Sequence, residues 1–239
     1  MSKSSKLSVV IPSLHGAPQA LLASINSQTV VPDEIEVVLG VHPNGRARNI
    51  GVARTDGAIL LFIDDDAILA HERVIEGLLP FLDDLTVGVI GASRLVPAEA
   101  PVFQRRVARQ VARINNPVVD QPLETNPDPP LYSTQVTTTC AAMRREVFEQ
   151  VGGFSELLVR SVDPEMFHRI RKLGYRFILA PGVWAWHPAP ATLRKLIEKH
   201  FLYGLGHAQA TRIHPELARG PERYPLPYFV LRTLLAPAQ

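Results

Sequence analysis

Short apolar segments alternate with amphipathic ones along the first ninety or so residues of the chain. Continuous or alternating runs of hydrophobic residues predict strands at 7–12, 34–40, 58–63 and 86–92. Apolar residues at helical spacing predict a helix that begins at Pro18 and another over 71–83. Because strands alternate with helices, this pattern predicts an open, mostly parallel α/β sheet.

The second half of the chain is less regular. Apolar residues opposite a row of arginines predict an amphipathic helix over 103–114, and five prolines in 115–130 predict a long loop. Residues 136–143 favour a strand, and a short helix after them ends at a pair of glycines.

The last third of the chain has clearer helix boundaries. A helix is predicted over 163–174, with Asp163 as its N-cap and Gly174 beyond its last turn. The segments 175–181 and 182–188 predict a pair of strands, and a helix follows near 192–212.

Composition bounds the class of protein. The chain has 239 residues, of which 46% are hydrophobic and 20% charged, so it can bury a substantial core. A net charge of +2 argues against a general nucleic-acid binder. The only cysteine, Cys140, excludes a disulfide framework. No signal peptide or membrane-spanning segment is recognisable, so we expect a cytoplasmic protein, soluble or peripheral to a membrane.

Charge is unevenly distributed along the chain. Residues 188–239 carry seven Lys and Arg but three acidic residues, whereas the rest is mildly acidic. This basic tail fits an anionic partner such as lipid headgroups, and it equally fits a solvated helix face. An apolar stripe on the predicted helix is compatible with a membrane interface or with core packing; its members are Ile197, Phe201, Leu205 and Ala208.

The sharpest chemical feature is Asp64-Asp65-Asp66, directly after the apolar strand 58–63. Ligands of open α/β sheets bind beyond the carboxyl ends of the strands, where these carboxylates should emerge. Three anions within about 4–6 Å repel one another by roughly 3 kcal/mol per pair at an effective dielectric constant of 20. A divalent cation bridging to phosphate oxygens would relieve that repulsion, although a solvated acidic turn explains the triplet equally well.

Longer motifs add a family resemblance. The segments SVVIP, QTVVPDEIEVV and GRARNIGVARTDGAILLFIDDDA follow one another in the first half. AAMRREVFEQVGGF, SVDPEMFHRIRKLGYRF and WAWHP follow in the second. Together they resemble a family 2 glycosyltransferase with the GT-A fold over residues 7–188. The resemblance implies a GT-A-like, Rossmann-type sheet that is mixed but mostly parallel and flanked by helices, with a C-terminal helical tail.

The resemblance also implies roles for single residues. Asp64 and Asp66 fall on the Asp-x-Asp motif of the family, whose first acid faces the donor ribose and whose second reaches Mg²⁺ or Mn²⁺. Asp163 falls on the general base of inverting members, and His187 on a histidine near the metal. The remaining donor-site residues that it implies are Pro12, Ser13, His15, Arg48 and Asp65.

Each of these roles has a structural alternative. Asp163 is an ideal helix cap, a role worth about 1 kcal/mol by itself. A carboxylate at a helix N-terminus also stays ionised, so the two roles can coexist. His187 lies between Trp186 and Pro188 and, without the resemblance, would be a packed strand histidine. Arg48 alone would be an ordinary surface charge.

Two departures from the family pattern concern the nucleotide and the base. The acid that normally recognises the nucleobase after the second strand is missing, because the chain reads Val38-Leu39-Gly40-Val41-His42 there. Val162 also replaces an acid that commonly precedes the base. A Gln-x-x-Arg-Trp run is absent as well, which argues against a processive polysaccharide synthase.

The predicted function is metal-assisted transfer of one sugar, with inversion, from a nucleoside-diphosphate sugar to an unknown hydroxyl acceptor, lipid-linked or a polysaccharide precursor. We predict one catalytic domain over 1–188, divided into a nucleotide-sugar half (1–95) and an acceptor half (96–188), and a basic helical tail (189–239). Contact of this tail with the inner face of a membrane and a solvated or packed helix face are the two alternatives. A catalytically degenerate nucleotide- or partner-binding relative is the non-enzymatic alternative. A sugar nucleotidyltransferase would need a basic, Gly-rich loop after the first strand, and a dinucleotide-dependent oxidoreductase would need a Gly-x-Gly-x-x-Gly run.

Overall fold

The computed structural model describes residues 5–111, 114–125 and 136–217. Its strands are β1 (Leu7–Ser13), β2 (Glu34–Leu39), β3 (Ile59–Ile63), β4 (Ile68–Leu69), β5 (Val87–Leu95), β6 (Leu123–Glu124), β7 (Cys140–Arg144) and β8 (Arg176–Trp186). Its α-helices are α1 (Gln19–Asn26), α2 (Asn44–Ala53), α3 (Val74–Leu78), α4 (Val102–Gln110), α5 (Arg145–Gln150), α6 (Val162–Lys172) and α7 (Leu193–Ile213). Two 3₁₀ segments, Leu79–Asp83 and Pro215–Leu217, follow α3 and α7.

The strands form one mixed sheet in the order β2-β1-β3-β7-β5-β8-β4, with β6 paired to β8. The neighbours β2, β1 and β3 run parallel, as do β5 and β8. Between these two parallel groups, β7 runs antiparallel to both β3 and β5. The predicted fold, a mixed sheet flanked by helices with a C-terminal helix, is confirmed.

Two apolar layers cover the sheet, one on each face. In β3, Leu61 and Ile63 pack into the layer that α1 and α3 cover, whereas Leu60 and Phe62 face the layer under α5 and α6. All four side chains are buried. This two-sided burial is the reason why the strand reads as a continuous apolar run instead of an alternating one.

The structure corrects the predicted N-cap of the helix that carries Asp163. The cap position is occupied by Ser161, whose carbonyl accepts a hydrogen bond from the Glu165 amide at 3.2 Å. Asp163 therefore lies inside the first turn of α6, and Pro164 follows within that turn, where a missing N–H costs nothing. Ser161 has φ 64°, an unusual left-handed conformation for a residue other than glycine.

Other boundaries also differ from the sequence prediction. The predicted pair of strands around Pro181 and Gly182 is one strand, β8, that runs along β5 throughout. Leu179 lies opposite Gly91 and Trp184 opposite Ser93, so the residues between them bulge out of the ladder instead of reversing the chain.

Three helices differ in their ends. Pro18 is the N-cap of α1 and not its first helical residue. The helix predicted over 71–83 is α3 followed by a 3₁₀ turn, and the one predicted over 103–114 is α4, which ends at Gln110. Arg113, part of the predicted arginine face, and residues 126–135 lie outside the described residues.

The apolar stripe of α7 lies on the surface. Ile197 is 61% exposed, Phe201 71% and Leu205 41%, and Leu193 continues the stripe at the start of the helix. Leu196, the residue before Ile197, packs instead against a small cluster that contains Val107 of α4. Within the described part of the chain, no helix combines the length and apolar character needed to cross a bilayer. The predicted domain boundaries stay a prediction.

Candidate active site

The candidate site lies at the edge where β1, β3, β5 and β8 end and β7 begins. The antiparallel register of β3 and β7 pairs Ile63 with Cys140, so the next residues outward, Asp64 and Thr139, lie side by side. The Asp64 amide donates to the Thr139 carbonyl at 3.3 Å. Parallel pairing of β5 with β8 brings Leu95 beside Trp186, and the His187 amide donates to the Leu95 carbonyl at 2.9 Å. Sheet register therefore brings residues distant in the sequence to one edge.

Asp64 is held by two side chains. The Arg48 Nη2 lies 2.7 Å from Asp64 Oδ1, and the Thr139 hydroxyl donates to Oδ2 at 3.0 Å. Arg48 is buried within α2. Burial by itself would raise the pKa of Asp64, but the charge of Arg48, together with the Thr139 hydrogen bond, outweighs it and lowers the pKa. Asp64 is thus an ionised carboxylate in a fixed orientation.

Asp66 and His187 face each other across the site. Asp66 Oδ1 lies 3.3 Å from His187 Nε2. Burial, together with the Asp64 and Asp65 carboxylates, raises the pKa of Asp66 to about 7. Burial lowers the pKa of His187 to about 4, so its imidazole is neutral at pH 7 and can offer a lone pair.

These groups fit a divalent cation. One ligand atom each from Asp64, Asp66 and His187 lies within 4.8 Å of the others. The 3.3 Å between Asp66 and His187 is close to the roughly 3 Å edge of an octahedron with bonds of about 2.1 Å. Two carboxylates and a neutral imidazole form a donor set that Mg²⁺ and Mn²⁺ accept. A cation would also offset the charge repulsion that raises the pKa of Asp66.

Two adjoining cavities open from this edge. The smaller, of about 110 Å³, is lined by Arg48, Asp64, Arg94, Asp163 and His187, among others. The larger, of about 580 Å³, extends along the acidic triplet toward the end of β1. Asp64 and His187 line both cavities, so a ligand in one lies next to a ligand in the other.

Asp163 lines the smaller cavity from the first turn of α6. The residues before it, Arg160 to Val162, line the same cavity, and Arg160 lies against α7. A Cβ at Gly206 of α7 would lie 2.5 Å from the Arg160 carbonyl oxygen, so the glycine allows this close approach. The docking of α7 therefore fixes the backbone that presents Asp163.

The predicted donor-site residues do not all face the cleft. Pro12, His15 and Asp65 line the larger cavity. Ser13 is buried, and its hydroxyl donates to the Gly16 carbonyl at 2.7 Å, so it shapes the turn after β1. Arg48 reaches the site through Asp64 and along the wall of the smaller cavity.

Several cleft residues were missed from the sequence. Lys199 and Tyr203 of α7 line both cavities, and Arg94 lies just beyond the strand predicted over 86–92. Thr139 lay within a stretch recognised only as strand-like. Lys199 and Tyr203 are spaced i, i+4 and lie away from the apolar stripe, so they share one face of α7. This spacing was the only feature of the sequence that could have indicated them as cleft residues.

Comparison with known proteins identifies the family. A family model described as "Glycosyltransferase like family 2" matches residues 7–201. The chain belongs to this family. Membership makes the protein a glycosyltransferase that uses a nucleotide-sugar donor, as the sequence resemblance implied.

Curated relatives in this family are distant. The chain is 23% identical over 230 residues to the O-antigen chain rhamnosyltransferase RfbN of Salmonella typhimurium, covering 85% of this chain and 73% of that protein. It is 26% identical over 179 residues to the glycosyltransferase AglE of Haloferax volcanii, covering 74% and 55%. The O-antigen chain rhamnosyltransferase WbaN of Salmonella anatum is 24% identical over 172 residues, covering 69% and 52%. The chain thus spans little more than half of the last two proteins.

Solved structures share the fold. The mannosyltransferase PcManGT from Pyrobaculum calidifontis, in complex with GDP-Man and Mn²⁺, superposes with a TM-score of 0.62 at 17% identity, covering 98% of this chain and 71% of that one. S. aureus TarS 1-349 superposes with a TM-score of 0.55 at 15% identity, covering 89% and 70%. At these identities the likeness shows the fold alone.

Proposed function

We propose that this glycosyltransferase moves a single sugar, with inversion, from a nucleoside-diphosphate sugar to a hydroxyl acceptor, using Mg²⁺ or Mn²⁺. The observation that carries the proposal is the common cavity of Asp64, His187 and Asp163. A candidate cation site and a candidate proton acceptor thus lie around the same space, as an in-line displacement requires.

The donor would lie across both cavities. Asp64, Asp66 and His187 would hold the cation, with the acidic triplet facing the diphosphate. When bound, the cation would neutralise the negative charge that develops on the departing diphosphate. Lys199, which lines both cavities, adds a positive charge on the α7 side. Pro12, His15 and His42 would surround the nucleoside, without the acid that the family normally places there.

Asp163 would act as general base. Its carboxylate would take the proton of the acceptor hydroxyl while that oxygen forms a bond to the anomeric carbon. The bond from the anomeric carbon to the diphosphate oxygen breaks in the same step, and the nucleoside diphosphate leaves with its electron pair. Attack from the face opposite the leaving group inverts the anomeric configuration.

The test combines turnover with stereochemistry. Purified protein with Mn²⁺ is offered a panel of donors that includes GDP-mannose and a nucleoside-diphosphate rhamnose, the sugars named for the relatives. Asp163→Asn should lower kcat by about 10²–10⁴-fold with little change in donor affinity. The matched change Asp83→Asn, remote from the cleft, should leave kcat unchanged. Retention of configuration in the product, measured by NMR, would contradict the assignment of Asp163.

A catalytically degenerate relative remains the second candidate, favoured by the sequence Val38-Leu39-Gly40-Val41-His42 where the base-recognising acid is expected. Thermal-shift measurements with nucleoside diphosphates, with and without Mn²⁺, separate the two. Binding without turnover of any donor would support the degenerate relative.

We propose further that the acceptor is lipid-linked and that α7 rests on the inner face of a membrane. Leu193, Ile197, Phe201 and Leu205 form an exposed apolar stripe about 18 Å long at 1.5 Å per residue. The neighbouring helix α4, which packs against Leu196 of α7, carries three exposed arginines, Arg105, Arg106 and Arg109. An exposed apolar stripe and a basic helix packed against the same element suit an anionic membrane surface.

Vesicle flotation tests this contact. The protein should float with vesicles that contain phosphatidylglycerol, and Phe201→Ser should reduce the bound fraction several-fold. Leu85→Ser is the matched control, because Leu85 is also 71% exposed but lies outside the stripe. Equal loss in the two variants, or no flotation at all, would remove the membrane from the proposal.

A further inference from the structure

A second group of metal-binding side chains lies outside the cleft. His168 projects from α6, and His214 and Glu216 follow the end of α7. None of the three lines either cavity of the candidate active site. The two histidine side chains are 16% and 17% exposed and Glu216 is 45% exposed, so the group is accessible from solvent at one side.

The distances within this group suit a small cation. One ligand atom from each residue lies within 4.8 Å of the others. His168 Nε2 is 3.0 Å and His214 Nδ1 is 3.9 Å from Glu216 Oε1. In a tetrahedral site with bonds of about 2.0–2.1 Å, neighbouring ligand atoms lie ~3.3 Å apart. Small side-chain rotations would therefore bring all three atoms onto one ion.

A buried carboxylate fixes the orientation of His214. Its Nε2 lies 2.8 Å from Glu165 Oε1, and Glu165 is 2% exposed. Glu165 also accepts two hydrogen bonds from Arg169, at 2.8 and 2.9 Å, so it can only accept from His214. That contact places the imidazole hydrogen on Nε2 and leaves Nδ1, which faces Glu216, as the ligand atom. A carboxylate behind a ligating histidine is the usual second layer of a zinc site.

We propose that His168, His214 and Glu216 bind a divalent transition-metal ion of the zinc class, with water completing the coordination. Two imidazoles and one carboxylate suit Zn²⁺ better than Mg²⁺, which prefers oxygen ligands. Lys172 Nζ lies 2.9 Å from Glu216 Oε1 and competes with the ion for that carboxylate. A variant without the Lys172 charge should therefore bind the ion more tightly.

Such an ion would join the end of α7 to α6. Both helices line the smaller cavity, α6 through Asp163 and α7 through Lys199 and Tyr203. Binding would hold α7 against the segment that precedes Asp163. The site is thus structural, it is separate from the chemistry of sugar transfer, and it does not depend on the proposed reaction.

The experiment measures zinc binding directly in the full chain, prepared without a polyhistidine tag and stripped with a chelator. Every arm carries Asp66→Asn, which removes one donor of the cleft. We expect one Zn²⁺ per chain by equilibrium dialysis, and competition with a chromophoric chelator gives the Kd. Co²⁺ in place of Zn²⁺ should show the intense visible absorption of a tetrahedral site. Mg²⁺ should not compete.

Variants assign the ligands. His168→Gln and Glu216→Gln should each weaken Zn²⁺ binding by at least about 100-fold, whereas His71→Gln, outside both clusters, should leave it unchanged. Lys172→Gln should tighten binding several-fold because a competing cation is removed. Affinity equal to that of the Asp66→Asn parent in His168→Gln and Glu216→Gln would overturn the proposal. So would an absence of zinc binding in the parent, or a Lys172→Gln variant that does not bind zinc more tightly.

Discussion

The ion pair between Arg48 and Asp64 is expected to hold the Asp64 carboxylate in place at the edge of the sheet. Its removal tests this role most directly. The Arg48 side chain is 3% exposed and that of Asp64 24%, and their closest atoms lie 2.7 Å apart. Breaking a fully buried pair costs about 3–5 kcal/mol because the remaining charge is left unpaired. Water in the cleft reaches Asp64, so we expect Arg48→Met to cost about 2–3 kcal/mol.

The substitution keeps most of the apolar stem and removes the charged group. For a protein of 239 residues, each kcal/mol shifts Tm by about 2–4 °C, so the expected fall is about 4–12 °C. Arg54→Met is the matched control, since Arg54 is the C-cap of the same helix and pairs with Glu36 at 2.9 Å but is 59% exposed. An exposed pair contributes about 0–1 kcal/mol, so its Tm should fall by at most about 4 °C.

Calorimetry and urea denaturation measure both variants, and a double variant completes the test. Asp64→Asn in the Arg48→Met background should recover part of the loss, because no unpaired carboxylate remains. Isothermal titration should also show weaker Mn²⁺ binding in Arg48→Met, since Asp64 is no longer oriented. An equal fall in Tm for Arg48→Met and Arg54→Met would refute the view that Arg48 holds the acidic edge of the sheet.

Three further predictions concern α7, the sheet and acid stability. Gly206→Ala should lower stability by about 1–3 kcal/mol and reduce activity, whereas Gly204→Ala, where a Cβ meets nothing within 4 Å, should be neutral or stabilising. Burial raises the pKa of Cys140 to about 12, so native protein should resist iodoacetamide at pH 8 and react only when unfolded; rapid native labelling would contradict this. Hydrogen bonds from Lys6 and Ser8 lower the pKa of Glu34 to about 2. The contribution of the ionised Glu34 to the free energy of unfolding is therefore complete above pH 4.5 and is lost as the pH falls toward 2. In Glu34→Gln, the free energy of unfolding measured by urea denaturation should fall less steeply between pH 4.5 and pH 2 than in the wild type. The same steepness in both proteins would contradict the prediction.

The sequence by itself determined the strands of the nucleotide half and their order along the chain. Ile59–Ile63 is continuously apolar because both of its faces are covered, and this burial can be recognised from the sequence as an uninterrupted apolar run. Asp64 and Asp66 were predictable for the same reason, since residues that directly follow a central strand emerge at its end. The family motifs then added Asp163 and His187.

Tertiary structure decided which side chains complete the site. Thr139 reaches Asp64 through the antiparallel register of β3 and β7, a pairing between strands about 75 residues apart that no local pattern encodes. The N-cap of α6 is Ser161 and not the predicted Asp163, because the backbone conformation before the helix, and not the side-chain type, determines where the first hydrogen bond forms. The spacing of the apolar residues in α7 is the same for a buried and for an exposed stripe. Only the packing of the helix, with Leu196 against α4 and the stripe residues exposed, showed which face is turned to solvent. The spacing of apolar residues shows that a helix has an apolar face. Whether that face is buried or exposed depends on which other parts of the chain pack against the helix.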